Sequence, residues 1–150
     1  MGKDSVEPFL EFKDNHTILL ALTSNEGSSD FQSLIFNNSS LYESVLKASK
    51  NWINSGKLMY VVGATKAENL KDIRKIVPDN FLLVPGVGKQ GGDLNKVCDY
   101  GLNSQIGLIV NSSREIIYAS KGLDFPQKAA QKARNLKQKM EKILSKNYNF

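Results

Sequence analysis

The residue types with the clearest chemistry lie in a glycine-rich stretch at residues 84–93. It holds four glycines and one proline, with Lys89 and Gln90 at its centre. Glycine permits sharp turns that leave backbone N–H groups uncovered, and a helical pattern follows from Leu94. Uncovered N–H groups beside a helix N-terminus favour a bound anion. The stretch therefore predicts a phosphate site, and a glycine-rich connector without a ligand fits the spacing equally well.

A second group with suitable chemistry is the pair Ser113 and Arg114. The planar guanidinium of arginine can make two parallel charge-assisted hydrogen bonds to one phosphate. This pair follows an apolar run at residues 106–110, which predicts a strand. The two groups can act together only if their strands end at the same edge of one sheet.

The sequence offers few other reactive or metal-binding side chains. One histidine, His16, and one cysteine, Cys98, cannot form a zinc site or an internal disulfide. We expect His16 on the surface ahead of the first strand, and Cys98 as a small residue within a helix of a reduced, cytoplasmic protein. No metal site is predicted.

The composition is that of one ordinary globular domain. The chain has 150 residues, of which 41% are hydrophobic, and its apolar runs are too short to cross a bilayer. No secretory signal is expected, and no membrane partner. The net charge of +5 comes mainly from the last helix, whose basic residues are Lys128, Lys132, Arg134, Lys137, Lys139, Lys142 and Lys146. No nucleic-acid motif accompanies them, so a solvated helix face is the better interpretation.

Four apolar runs of strand length alternate with helical patterns. They predict strands at residues 17–22, 58–62, 81–84 and 106–110. Capping residues predict helices at residues 4–12, after Ser40, after Thr65, at residues 93–99 and from Asp124. Residues 116–118 are expected to form a brief strand or a turn. This alternation indicates a parallel sheet with right-handed crossovers.

Three helices show an apolar stripe that should face the core. The stripe of the helix after Thr65 is expected at Leu70, Ile73 and Val77. The stripe of the helix after Ser40 is expected at Leu41, Val45, Ala48 and Trp52. The stripe of the last helix is expected at Phe125, Ala129, Ala133, Leu136, Met140 and Ile143.

Polar, glycine-rich and serine-rich residues follow every predicted strand, at residues 23–27, 63–65, 85–93 and 111–114. Doubly wound sheets and β/α barrels bind ligands at this edge. No G-x-G-x-x-G follows the first strand, which disfavours a dinucleotide fold. Barrels often hold phosphate after their seventh and eighth strands, so the chain fits the second half of an eight-stranded barrel.

Three motifs together resemble one known family. They are Val62-Gly63-Ala64-Thr65, Pro85-Gly86-Val87-Gly88-Lys89-Gln90-Gly91-Gly92-Asp93 and Asn111-Ser112-Ser113-Arg114. Their combination, across nearly the whole chain, resembles the longer bacterial-type branch of the orotidine 5′-phosphate decarboxylases. The resemblance implies an α/β fold of the (β/α)8 TIM-barrel type, with this chain covering about strands 5 to 8. Residues 1–150 would then be the C-terminal half of a single barrel domain.

The resemblance also implies a function and a set of substrate-binding residues. The family decarboxylates orotidine 5′-monophosphate to uridine 5′-monophosphate without a cofactor, and we expect a homodimer. The implied substrate-binding residues are Ser24, Pro85, Gln90, Gly91, Ser113 and Arg114. Gln90 and Arg114 would hold the phosphate with backbone N–H groups near Ser113, while Ser24 would bind the pyrimidine and Pro85 would line the pocket beside it.

The chain departs from the family pattern in three places. Lys89 stands where alanine is common, and Glu115 stands where glycine is common; we expect the Glu115 side chain to point away from the phosphate. The family's catalytic D-x-K-x-x-D motif is absent, so no catalytic residue is predicted here and the chain is expected to be a fragment. Half a barrel leaves two open edges and an uncovered inner face, which should associate with another chain.

Two other functions fit the same residues. One is a different phosphate-binding β/α-barrel enzyme, such as an aldolase or an epimerase. The other is a non-catalytic module that binds a phosphometabolite, or nucleic acid through the basic last helix.

Overall fold

A parallel sheet organises the structure. The computed structural model describes residues 2–88 and 91–148. Within these residues the sheet has four strands in the order β1-β4-β5-β6, which are Thr17–Leu22, Leu58–Val62, Leu82–Pro85 and Leu108–Asn111. Each neighbouring pair is parallel. A two-stranded antiparallel hairpin, β2 (Ile35–Phe36) with β3 (Ser39–Ser40), lies outside this sheet.

Helices connect the strands, as the alternating sequence pattern predicts. They are α1 (Lys3–Leu10), α2 (Ser28–Phe31), α3 (Leu41–Ser49), α4 (Leu70–Ile76), α5 (Leu94–Gly101), α6 (Arg114–Ile117) and α7 (Phe125–Asn147). Short 3-10 helices precede β4 and α4, at Ser55–Lys57 and Ala64–Asn69. No helix in the described part of the chain is long and apolar enough to span a bilayer.

One face of the sheet forms the core with the helices. Tyr60, Leu82 and Val84 of the strands are fully buried, together with Ile73 of α4 and Val97 of α5. Burying one such side chain contributes roughly 1.5–3 kcal/mol relative to leaving it exposed. The hydroxyl of Tyr60 lies 2.9 Å from that of the buried Ser49, so its polar end is also satisfied.

The opposite face of the sheet is apolar and open. Ile18 and Leu20 of β1 are 47% and 53% exposed, and Ile109 of β6 is 43% exposed. Strand alternation puts these residues on the face that a closed barrel would fill with side chains. The expected uncovered inner face is therefore present in the described residues.

Arg74 fastens the end of the sheet away from the candidate site. Its Nε donates to the Gly101 carbonyl at 2.7 Å, its Nη1 to that of Asn80 at 2.7 Å, and its Nη2 to that of Gly107 at 2.9 Å. Nη1 also approaches the carbonyls of the α4–β5 turn. Burial lowers the pKa of Arg74 to about 10, which leaves it charged at neutral pH.

Several predicted boundaries are confirmed and several are wrong. The strands at 17–22 and 58–62 match, and β5 is displaced by one residue from the predicted 81–84. The last strand begins at Leu108 and not at residue 106, because Ile106 and Gly107 have φ values of 70° and 63° that no strand can contain. Residues 116–118 form neither strand nor simple turn, since α6 extends to Ile117.

Helix starts were predicted well where a side chain caps the helix. Ser40 and Glu43 form a capping box at α3, and Asp93 accepts from Asn95 N at 2.8 Å at α5. The predicted cap at Thr65 is wrong, because its hydroxyl donates to the Ser24 carbonyl and a 3-10 helix forms instead. The first helix begins at Lys3 without a side-chain cap.

The predicted stripe of Leu70, Ile73 and Val77 is confirmed, since all three are buried. The other two predicted stripes need correction. In α3 the buried residues are Tyr42, Leu46 and Ser49, whereas Leu41 is 47% exposed. Tyr42 and Ser49 can be buried because their hydroxyls have partners: Ser49 Oγ donates to Val45 O at 2.7 Å, and Tyr42 Oη accepts from Asn69 Nδ2 at 3.4 Å. In α7 the second half of the stripe packs against the core, at Leu136, Met140 and Ile143. Its first half extends past the core, so Phe125 is 56% exposed.

Candidate functional site at the carboxyl edge of the sheet

The carboxyl edge of the sheet brings together four of the six predicted site residues. Ser24 follows β1, Pro85 ends β5, and Ser113 with Arg114 follows β6. Gly91 lies in the loop between β5 and α5. Gln90, predicted to bind phosphate, lies outside the described residues, as does Lys89.

Ser24 and Pro85 meet across the end of β4. The Ser24 hydroxyl donates to the Pro85 carbonyl at 3.3 Å, although 61 residues separate them. Gly63, at the end of β4, makes this approach possible: a Cβ atom there would lie 2.2 Å from Ser24 Oγ and 2.5 Å from Ser24 N. The sheet therefore curves enough at this edge to join the ends of its first and third strands.

The loop between β5 and α5, here called the glycine loop, is held together by hydrogen bonds among its own backbone groups. Gly86, Gly88 and Gly91 have φ values of 95°, 84° and 86°, in the region that glycine adopts without strain. The N–H group of Gly88 donates to Gly92 O at 3.1 Å, that of Gly91 to Gly88 O at 2.8 Å, and that of Gly92 to Gly86 O at 3.1 Å. The expectation of uncovered N–H groups is therefore wrong for Gly88, Gly91 and Gly92.

Gly92 also fixes the position of the loop against the sheet. A Cβ atom on Gly92 would lie 2.4 Å from the Ala64 methyl and 2.6 Å from the Gly86 carbonyl oxygen. The loop is thus packed onto the segment that follows β4. Its glycines shape the loop, and an anion must be held by groups other than the N–H donors of Gly88, Gly91 and Gly92.

The segment after β6 presents suitable donors. The Ser113 hydroxyl donates to Asn111 Oδ1 at 3.0 Å, which orients the turn into α6. Within the described residues, the N–H groups of Arg114 and Glu115 have no hydrogen-bond partner, as expected for the first turn of a helix. The Arg114 side chain is exposed and pairs with no described residue. A cavity of about 130 Å³ lies between this segment and β5, lined by Pro85, Gly86, Val87, Asn111, Ser112, Ser113, Arg114 and Glu115.

Glu115 does not point away from this region, contrary to the expectation. Its Oε2 lies against the loop, where a Cβ atom on Gly88 would be only 2.1 Å away. Its Oε1 accepts a hydrogen bond from Lys132 Nζ of α7 at 3.2 Å, so the two side chains form an ion pair. The predicted orientation of Glu115 is therefore wrong. Sequence reasoning missed Lys132, since the stripe of α7 gave no sign that this lysine faces the loop.

His16 and Cys98 lie away from the site. His16 is exposed, as predicted. Cys98 is buried in α5, and this burial raises the pKa of its thiol to about 11, so it is protonated and unreactive at neutral pH. Among the described residues, no three histidine, cysteine, aspartate or glutamate side chains gather as metal ligands.

The chain is similar to known proteins in both sequence and fold. The family described as Orotidine 5′-phosphate decarboxylase / HUMPS matches residues 1–133. The chain belongs to this family. It is 63% identical over 148 residues to the orotidine 5′-phosphate decarboxylase of Flavobacterium johnsoniae, covering 99% of this chain and 54% of the relative. The corresponding protein of Christiangramia forsetii is 61% identical, with 97% and 54% covered.

Two solved structures have the same fold over most of this chain. The Leishmania donovani OMP decarboxylase superposes with a TM-score of 0.77 at 32% identity, covering 95% of this chain and 54% of that chain. The Leishmania donovani UMP synthase gives 0.77 at 34% identity, with 92% and 31% covered. These neighbours confirm the predicted partial (β/α)8 barrel. The chain spans about half the length of the curated relatives it matches.

Proposed function

We propose that this chain forms the phosphate- and base-binding part of an orotidine 5′-monophosphate decarboxylase of pyrimidine biosynthesis. The substrate would lose carbon dioxide and give uridine 5′-monophosphate, with no cofactor. The observation that carries the proposal is the convergence of Ser24, Pro85, Ser113 and Arg114 at one sheet edge. The relatives named above support the choice of this reaction over an aldolase or epimerase.

The nucleotide phosphate would bind beside α6. Arg114 supplies the positive charge, and the N–H groups of Arg114 and Glu115 supply two further donors. Each charge-assisted hydrogen bond of this kind contributes about 1.5–3 kcal/mol. Gln90 is proposed to reach the same phosphate from the glycine loop. Gly91 would keep that loop in shape through its hydrogen bond to Gly88.

The pyrimidine would lie toward β1. Ser24 offers a hydroxyl that can exchange its bond to Pro85 O for one to the base, and the Pro85 ring offers an apolar surface beside it. Pro85 also lines the cavity of about 130 Å³ beside Arg114, so the proposed base and phosphate positions adjoin each other. A nucleotide would thus be held at both ends, which positions it for a reaction at its base.

The groups that perform the decarboxylation are proposed to lie outside these 150 residues. The D-x-K-x-x-D motif of the family does not occur in the sequence. The lysine of that motif, which protonates the pyrimidine carbon that loses carbon dioxide, therefore has no counterpart in this chain. We propose that residues 1–150 are the C-terminal half of one barrel domain, in a cytoplasmic homodimer. The open apolar face at Ile18, Leu20 and Ile109 supports this proposal, since the other half of a barrel would cover it.

Titration with uridine 5′-monophosphate tests the phosphate site directly. We expect the 150-residue chain to bind the nucleotide, and Arg114→Ala to weaken the binding at least about tenfold, equivalent to roughly 1.4 kcal/mol. Calorimetry would give both dissociation constants, and Arg134→Ala serves as the control on the exposed side of α7. Equal affinities for the wild-type and Arg114→Ala chains would remove Arg114 from the site.

A further inference from the structure

The ion pair between Glu115 and Lys132 connects α6 to α7 beside the proposed phosphate site. Lys132 Nζ lies 3.2 Å from Glu115 Oε1, and the two side chains are 47% and 37% exposed. The other carboxylate oxygen faces Gly88 of the glycine loop. This carboxylate therefore lies between the proposed phosphate donors and a lysine on a different helix.

Three cavities share the Glu115 side chain as a wall. The first is the cavity of about 130 Å³ beside Arg114. The second, of about 380 Å³, is lined by Gly88, Arg114, Glu115, Tyr118, Ala119 and Lys132. The third is a cleft of about 760 Å³ between the loop and α7, whose lining includes Lys132, Lys139, Lys142 and Lys146. Arg114 and Lys132 thus both line the second cavity. The Glu115 side chain also borders the third cleft, so it can turn from the second cavity toward the other lysines of α7.

We propose that Lys132 is a further phosphate-binding residue. Its ammonium group is paired with Glu115 until a phosphate dianion displaces the carboxylate. This inference rests on the proposed function, because it deepens the same phosphate site. In the exchange, the Glu115 carboxylate rotates into the lysine-lined cleft, and the Lys132 ammonium turns to the phosphate beside Arg114. No bond is made or broken.

Charge balance favours this exchange. A nucleotide phosphate carries a charge of nearly −2 at neutral pH, and Arg114 alone neutralises half of it. Lys132 supplies the second positive charge, whereas a carboxylate left between them would repel the ligand. Partly exposed ion pairs are weak, so a doubly charged ligand can compete with Glu115. A neutral nucleoside cannot, and the pair therefore selects nucleotides over nucleosides.

Gly88 makes room for the Glu115 carboxylate in its paired position. It is exposed and has a φ of 84°, and its missing side chain leaves the space that Glu115 Oε2 occupies. A larger residue at position 88 would push the carboxylate out of the loop.

The test is calorimetric titration of the full 150-residue chain with uridine 5′-monophosphate and with uridine. We expect Lys132→Met to weaken nucleotide binding at least about fivefold, and Glu115→Gln to tighten it about threefold or more. Neither change should alter uridine binding. Lys132→Arg should restore most of the nucleotide affinity. If the pair were purely structural, Glu115→Gln would weaken nucleotide binding as Lys132→Met does, instead of tightening it.

The Lys137–Glu141 ion pair of α7 provides the matched control. Its atoms are 3.4 Å apart and its side chains are 75% and 57% exposed. Lys137→Met and Glu141→Gln should leave nucleotide affinity unchanged. If Lys132→Met binds the nucleotide as the wild-type chain does while Arg114→Ala loses it, the inference about Lys132 is overturned and the proposed function stands. If the wild-type chain itself binds no nucleotide, both are overturned.

Discussion

At the scale of single residues, the candidate site depends on side chains that are absent as much as on those present. Gly63 lets the end of β4 approach Ser24, and Gly92 lets the glycine loop contact Ala64. The pattern of residues alone pointed to Ser113 and Arg114, because polar residues that follow parallel strands lie at one edge of the sheet. Ser24 and Pro85 were expected there only through the family resemblance. Glu115 could not be oriented from sequence, since its position depends on Lys132, 17 residues away.

Replacing Gly63 by alanine tests the close approach of β1 and β4. The added methyl would lie within 2.5 Å of two Ser24 atoms, so the backbone after β1 must move. We expect Gly63→Ala to lower the free energy of unfolding by about 1–3 kcal/mol and to weaken nucleotide binding. Thermal unfolding followed by circular dichroism measures the first effect.

Gly56 supplies the control for this substitution. No atom lies within 4 Å of a Cβ atom built there, so Gly56→Ala should change stability by no more than about 0.5 kcal/mol. Equal stability of the two variants would show that Ser24 does not depend on the missing side chain of Gly63.

At the scale of elements, local patterns gave the strands and most helix starts, and tertiary contacts decided the rest. The capping box at Ser40 was visible in sequence, but the buried face of α3 was not, because it includes Tyr42 and Ser49, whose hydroxyls are satisfied by hydrogen bonds that the sequence does not show. The start of β6 was misplaced because the apolar Ile106 adopts a turn conformation. Apolar character alone does not distinguish such a residue from a strand residue.

The Arg74 side chain joins several elements, and its loss should destabilise the fold. Its guanidinium donates hydrogen bonds to the carbonyls of Val77 and Gly101 at the ends of α4 and α5. It also donates to those of Asn80 and Gly107, which precede β5 and β6. Arg74→Met would leave these acceptors without their donor, so we expect a loss of at least about 2 kcal/mol in the free energy of unfolding.

Urea denaturation would measure this loss. Lys75→Met is the neighbouring control, since Lys75 is 76% exposed and pairs only with the surface residue Asp72. It should cost no more than about 0.5 kcal/mol. A cost for Arg74→Met as small as that of the control would contradict the role assigned to Arg74.

At the scale of the whole molecule, the structure presents half of a barrel with its inner side uncovered. The sheet ends in β1 and β6 as edge strands, and its inner face exposes Ile18, Leu20 and Ile109. Exposed strand edges and apolar faces favour association with another chain. The family explains this surface as the interior of a barrel, and the share of the relatives that the chain covers, 54%, agrees with that explanation.

The most direct test of the account is to complete the barrel and measure decarboxylation. The segment of the Flavobacterium johnsoniae relative that this chain does not cover would be joined to, or mixed with, residues 1–150. We predict turnover of orotidine 5′-monophosphate by the completed barrel and none by either part alone, with Arg114→Ala lowering kcat/KM at least about tenfold. A completed, folded barrel without activity, or one that Arg114→Ala leaves unchanged, would contradict the account.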